Sequence, residues 1–264
     1  MLKLKREFLL YTKVIFVIFL LVSCGDDSDD VTDEVIEIVE EEEEEIEEEE
    51  VVEEEEVVEE CTTGIIYIEK DGILKADFES LAAFNGWDSE TSVDGFQGLG
   101  YIVWKGSQYF GAPGTGILEY PIRISTPGTY RFMWRSRITN GNDGTEHNDT
   151  WLRFADADDF YGKKGDHIVY PGGTGKTPRP NGSSKEGWFK VYMSGAGTWK
   201  WASNTSDNDG HGIYVKFDEA GDYIMEISAR SSHHALDRFV MVKSGININD
   251  VTDESVALSE LICK

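Results

Sequence analysis

From residue 61 onward the chain alternates apolar and polar side chains in short runs, and Gly, Asn, Asp or Pro interrupt the runs roughly every 8 to 15 residues. This period-two pattern predicts strands at 101–104, 117–124, 129–138, 150–154, 187–192, 198–202, 212–217, 222–229 and 236–242. It also predicts a first hairpin over 65–78, turning at Lys70-Asp71-Gly72. Helical spacing is confined to two short stretches, 79–84 and 250–261. An all-β sandwich is the expected fold. The run 129–138 shows how it would be built. Tyr130, Phe132, Trp134 and Ile138 share one face and Arg131, Met133, Arg135 and Arg137 the other. The first face must be core, because burying each large side chain stabilises by roughly 1.5–3 kcal/mol. The arginine face is left to solvent, to another side-chain layer or to a ligand.

Two upstream blocks break the pattern. Residues 1–23 carry Lys3, Lys5, Arg6 and Lys13, then an apolar run from Val14 to Val22 that is too short to cross a bilayer. A cleaved export signal is expected. Residues 24–60 are dominated by Asp and Glu blocks separated by Val or Ile, as at Ile46, Val51-Val52 and Val57-Val58. With no aromatic residue and no Lys or Arg, this stretch reads as a solvated, self-repelling tether of at most about 120 Å, with a calcium-collecting tail as the other reading.

These blocks change what the net charge of −27 means. The first contributes +3 and the tether −23, so residues 61–264 carry only −7. That is an ordinary value for a soluble domain and offers no basic surface for nucleic acid. The three cysteines fall at Cys24, Cys61 and Cys263. If Cys24 is consumed by lipid, Cys61 and Cys263 form an even pair that reads as a disulfide in an oxidising compartment, two unrelated thiols being the other reading. Such a bridge would close a loop worth on the order of 5 kcal/mol.

The candidate chemistry lies in polar loops at 139–149, 171–184 and 203–211. Glu146, His147 and Asn148 sit in the first of these, and His233-His234 precede the last long strand. The spacing matches neither a zinc motif nor a nucleophile elbow nor a paired-carboxylate glycosidase strand, so hydroxyl-binding loop residues are the expected role. Asp207-Asn208-Asp209-Gly210 lacks the ligand spacing of a calcium loop and reads as a turn. Trp199 and Trp201 share a face at spacing two, so both are core or both are presented.

Two sets of motifs resemble known families. Leu21-Val22-Ser23-Cys24-Gly25 resembles the lipobox of bacterial lipoproteins, and the acidic residues after it resemble the export signal of surface lipoproteins in polysaccharide-scavenging Gram-negative bacteria. In the folded block, Ala76-Asp77-Phe78-Glu79, Gly98-Leu99-Gly100-Tyr101-Ile102, Leu118-Glu119-Tyr120-Pro121-Ile122 with Pro127-Gly128-Thr129-Tyr130 and Arg135, and Gly221 through Leu236-Asp237-Arg238-Phe239 resemble carbohydrate-binding modules of families 6 and 35. That resemblance implies a galactose-binding-like jelly-roll sandwich. It implies a sugar site from Tyr101, Trp199 or Trp201, and His233 or His234. It also implies a structural calcium held by Asp77, Glu79 and Asp237. The chain departs from the family pattern at His233-His234, where Asn is usual, and through long insertions at 105–116 and 140–186.

Together these readings lead to the expectation of a non-catalytic lipoprotein at the outer face of the outer membrane. It would be anchored through Cys24 and would capture a polysaccharide, with β-glucan as first choice, beside transport or hydrolytic partners. A jelly-roll polysaccharide lyase acting on an anionic glycan and an adhesion or assembly protein are the alternatives.

Overall fold

The computed structural model describes residues 64–81, 83–179, 184–205 and 208–263. The signal-like segment, the acidic tether, Cys24 and Cys61 lie outside them. The chain forms β1 (Ile65–Ile68), β2 (Ile73–Asp77), β3 (Asp88–Glu90), β4 (Tyr101–Val103), β5 (Leu118–Ile124) and β6 (Gly128–Ile138). Then come β7 (Asp149–Arg153), β8 (Asp159–Lys164), β9 (His167–Val169), β10 (Ser184–Lys185), β11 (Trp188–Tyr192) and β12 (Lys200–Trp201). The last elements are β13 (Gly212–Phe217), β14 (Gly221–Ser228), β15 (His234–Lys243), the one-turn helix α1 (Ile248–Val251) and β16 (Leu261–Cys263).

The strands make two sheets, so the fold is an all-β sandwich. One sheet has the order β10-β11-β7-β14-β5-β1-β16. The other runs β3-β4-β15-β6-β13-β8-β9, with β2 added on β15 and β12 on β6. The core between them is aromatic: Phe78, Tyr120, Phe132, Trp134 and Phe239 form a chain of edge-on and tilted ring contacts. β6 alternates as its sequence requires, with Tyr130, Phe132, Trp134 and Ile138 buried and the arginine positions half-buried.

The segment 65–78 departs from the expected hairpin. The chain reverses at Asp71-Gly72, but β1 pairs with β5 and β16 while β2 pairs with β15 in the opposite sheet. Tyr67 and Leu74 are both fully buried in the one core between the sheets. A corner that crosses from sheet to sheet satisfies both strands, whereas a hairpin would leave one in the wrong layer. Glu69 holds this corner. Its buried carboxylate accepts N–H groups from Gly72 at 2.5 Å, Ser125 at 2.7 Å and Thr126 at 2.8 Å.

The two expected helices shrink for similar reasons. Among the described residues of 79–84 there is only the end of a short 3-10 turn, Phe78–Ser80, because Phe78 is anchored in the core. At 250–261 the helix stops after Val251 and the chain returns as β16 along β1. Lys75, buried in β2, holds this return by donating to the carbonyls of Asp253 at 2.5 Å and Val256 at 2.9 Å. The return sets Cys263 opposite Ile65, and Cys263 is disulfide-bonded. The expected partner, Cys61, lies outside the described residues. The insertion 140–186 holds the expected strand at 150–154 as β7, and three further strands, β8, β9 and β10, where loop was expected.

Candidate functional site

Four connections meet at one end of the sandwich: 104–117, 139–148, 193–199 and 229–233. Backbone hydrogen bonds stitch them together, from Tyr109 N to Arg230 O at 2.7 Å, His233 N to Trp104 O at 2.7 Å, and Met193 N to Asn148 O at 3.0 Å. Trp104 organises the first connection. Its buried indole donates to Ser107 O at 2.8 Å and packs close to Gly106, where an added Cβ would stand 2.7 Å from the ring.

Between these loops lies a cavity of about 250 Å³ lined by Gln108, Phe110, Thr145, Glu146, His147, Asn148, Asp149 and Ser231. This is smaller than the roughly 300–1,000 Å³ of sites that enclose a drug-sized ligand. Phe110 is 51% exposed, and the Arg230 guanidinium lies over its ring, 5.1 Å from the centroid. Arg230 is held in turn by the buried Asp149, which also takes the Ser231 hydroxyl and faces Lys190 Nζ at 3.6 Å. One buried carboxylate shared by two cations and a hydroxyl holds Arg230 and Ser231 in place beneath the rim.

The residues expected to bind divide into three groups. Glu146, His147 and Asn148 do line the cavity. Glu146 is exposed, His147 bonds Ser232 O through Nδ1 at 2.8 Å, and Asn148 spends its amide on Met193 O at 2.9 Å. His233 stands edge-on to His147 with ring centroids 5.6 Å apart. Burial, then the neighbouring His147 and Lys105, push its pKa below the ordinary imidazole value, so it is neutral at pH 7. His234 does not reach the surface. Its fully buried ring bonds Thr150 Oγ1 at 2.9 Å and packs on Trp134, because residue 234 opens β15 with its side chain toward the core.

The aromatic trio is likewise split. Tyr101 is fully buried, with its hydroxyl on Ser92 at 2.9 Å and Glu90 at 3.2 Å. It offers no open face and instead supports the half-buried Trp199, 5.2 Å away between centroids. Trp199 is pinned by its indole N–H on Asp94 O at 3.0 Å and by Arg135, 5.4 Å from its centroid. Trp201, like Met133, packs partly buried against the cluster of Val240, Val242, Ile248 and Val251 and so serves as partial core. Phe110 and Gln108 were not singled out by the sequence pattern. The signal for them was a Gly-rich insertion with an aromatic residue in it, Gly106-Ser107-Gln108-Tyr109-Phe110-Gly111.

The carboxylates expected to hold calcium lie at the start of β4. Glu79 Oε1 accepts N–H groups from Leu99 and Gly100, both at 3.1 Å, while its Oε2 is buried with no hydrogen-bond partner. Asp77 Oδ2 and Glu79 Oε1 crowd Gly98, where a Cβ would meet them at 2.5 and 2.8 Å and where φ is +76°, so only glycine fits. Burial, with Asp77 and Asp237 adding to it, pushes the Glu79 pKa up to about 8. Asp77 is ion-paired with Arg238, and Asp237 with Arg135, while Asp237 also accepts the Gln97 N–H at 3.1 Å.

No family model matches the sequence, and no curated protein matches it. The likeness to carbohydrate-binding modules therefore rests on the short motifs. Similar solved structures include a GH26-CBM35 β-(1,4)-mannanase of Podospora anserina, at 14% identity and a TM-score of 0.40 over 67% of this chain and 29% of that one. They also include an isomalto-dextranase of Arthrobacter globiformis T6 complexed with panose, at 15% identity and a TM-score of 0.38 over 64% of this chain and 23% of that one.

Proposed function

We propose that this protein is a non-catalytic glycan-binding domain carried at the bacterial cell surface on a lipid-anchored acidic tether. The observation that carries the reading is the loop-end cavity, where an exposed aromatic ring sits beside amide, carboxylate and imidazole groups above a buried, ion-paired floor. Carbohydrate recognition needs this combination, because a ring face packs on pyranose C–H groups while polar neighbours bond the hydroxyls. Phe110 supplies the face, Gln108, Glu146 and His147 the polar partners, and Trp199, half-buried in the 193–199 connection, is the further platform of the same proposal. The anchor and tether readings rest on Leu21-Val22-Ser23-Cys24 and on the 23 acidic residues that follow. A structural calcium is part of the same proposal. Asp77 and Glu79 beside Gly98, with Asp237 beside Gln97, would hold it, their hard oxygens suiting that ion.

Affinity electrophoresis of the chain carrying Cys24→Ser, through gels containing β-glucan, mannan or algal polysaccharides, tests this. Retardation on at least one glycan that is lost in Phe110→Ala supports the cavity as the site. Retardation unchanged by Phe110→Ala and Trp199→Ala together would remove it. Release of unsaturated products would establish the lyase reading, and failure across a broad glycan array would favour adhesion.

A further inference from the structure

At the β8–β9 edge of the second sheet, outside the lining of the loop-end cavity, three side chains converge that the glycan reading does not use. His167 opens β9 and is exposed, Asp209 lies in the 205–211 connection, and His211 is buried immediately before β13. One ligand atom from each lies within 4.8 Å of the other two, the closest being His167 Nδ1 and His211 Nε2 at 2.7 Å. We propose that His167, Asp209 and His211 form a binding site for a divalent late transition-metal ion, with zinc as the occupant.

The surroundings orient His211 and Asp209 for that role, while His167, which donates its Nδ1 proton to His211 Nε2 without a metal, would carry that proton on Nε2 when a metal binds. His211 Nδ1 lies 2.7 Å from the Asp209 carbonyl oxygen, which can only accept. The proton of the neutral ring therefore sits on Nδ1, and the Nε2 lone pair points at His167 and Asp209. A metal-binding imidazole is commonly oriented by this kind of outer hydrogen bond. Asp209 is oriented as well: Lys164 at the end of β8 takes Oδ1 at 2.9 Å, while Oδ2 stands 3.9 Å from His211 Nε2.

Two ligands bound tetrahedrally at about 2.0–2.1 Å are roughly 3.3 Å apart. The imidazole pair would open by about 0.6 Å and the carboxylate would close by a similar amount, movements within reach of side-chain rotation. Two nitrogens and one carboxylate oxygen suit zinc, copper or nickel and not calcium. Three protein ligands leave the fourth position to water on the exposed His167 side. Bound there, the ion would clip the β8–β9 hairpin to the 205–211 connection.

The test is thermal unfolding of the full chain, stripped with chelator, with and without zinc chloride. Cobalt substitution reports the ligand type through its visible d–d absorption. The wild type is expected to melt at least roughly 2–4 °C higher with zinc at large excess over its Kd, and to lose the rise on chelation. His167→Gln and Asp209→Asn, at exposed and half-exposed positions, are expected to melt with the wild type in the absence of metal. Both should lose the zinc shift and the cobalt band. A wild type with neither shift nor band overturns the proposal. So does an equal response in His167→Gln, which would place the ion elsewhere, for example on the acidic segment.

Discussion

His234 makes the stability of this sandwich depend on pH in a way that one substitution can isolate. Its ring is fully buried between Trp134 and Thr150, and burial holds its pKa down at about 4, against a smaller opposing pull from Asp149. In the unfolded chain it takes a proton near pH 6.5. Its contribution to stability is therefore fully present above pH 6.5 and is lost as the pH falls toward 4. Each tenfold difference in proton affinity corresponds to about 1.4 kcal/mol, so the loss is about 3 kcal/mol across that window. Asp237 and Glu79 act in the opposite sense, since burial pushes their pKa values up to about 6 and about 8, and protonating them favours the folded state. The total slope is consequently a mixture, and the histidine appears in the difference between wild type and His234→Asn. Asn keeps a polar atom near the position of Nδ1, facing Thr150, and does not titrate. Urea unfolding at pH 7, 5.5 and 4.5 should show a stability gap between the two that narrows or reverses by about 2–3 kcal/mol at the lowest pH. A gap that stays constant within about 0.5 kcal/mol would mean that His234 is not excluded from solvent protons, and would refute its burial in the core.

Glu69→Ala should destabilise by about 3–5 kcal/mol, measured by chemical unfolding, because the N–H groups of Gly72, Ser125 and Thr126 lose their acceptor at a buried corner. Phe110→Ala should lower glycan affinity by at least about tenfold in the gel assay while moving the melting temperature by less than about 2 °C, since the ring is half exposed and covers no core. Cys263→Ser should cost about 2–5 kcal/mol, and reductant should bring the wild type to the same midpoint. Calcium should raise the melting temperature of the wild type and EGTA should reverse the rise, with Glu79→Gln showing a smaller response or none. An identical response in Glu79→Gln would place the ion elsewhere.

Period-two alternation is a local property, so the long strands are legible in the residue pattern alone. Tyr130, Phe132, Trp134 and Ile138 alternate with Arg131, Met133, Arg135 and Arg137 because the pleat sends neighbours to opposite faces, and β6 follows that pattern residue for residue. Of the shorter strands, β4 and β12 are legible within the runs 101–104 and 198–202, whereas β3, β8, β9, β10 and β16 are not: β8 sets Gly162 at a buried position, and the others are too short to show a period. What a side chain does after it enters the sandwich is decided by tertiary structure. Tyr101 and Trp199 look equivalent as candidate platforms, yet one is buried beneath the other, because β4 is paired on both sides by β3 and β15 while Trp199 lies in a connection. His233 and His234 are adjacent, yet the start of β15 turns one toward the loop end and the other into the core. His167, Asp209 and His211 are separated by up to 44 positions and meet only because β8, β9 and β13 are neighbours in one sheet. Residue pattern determines which segments become strands, since that depends on nearest neighbours along the chain. Strand order determines which loops share an end of the sandwich, and with it the site.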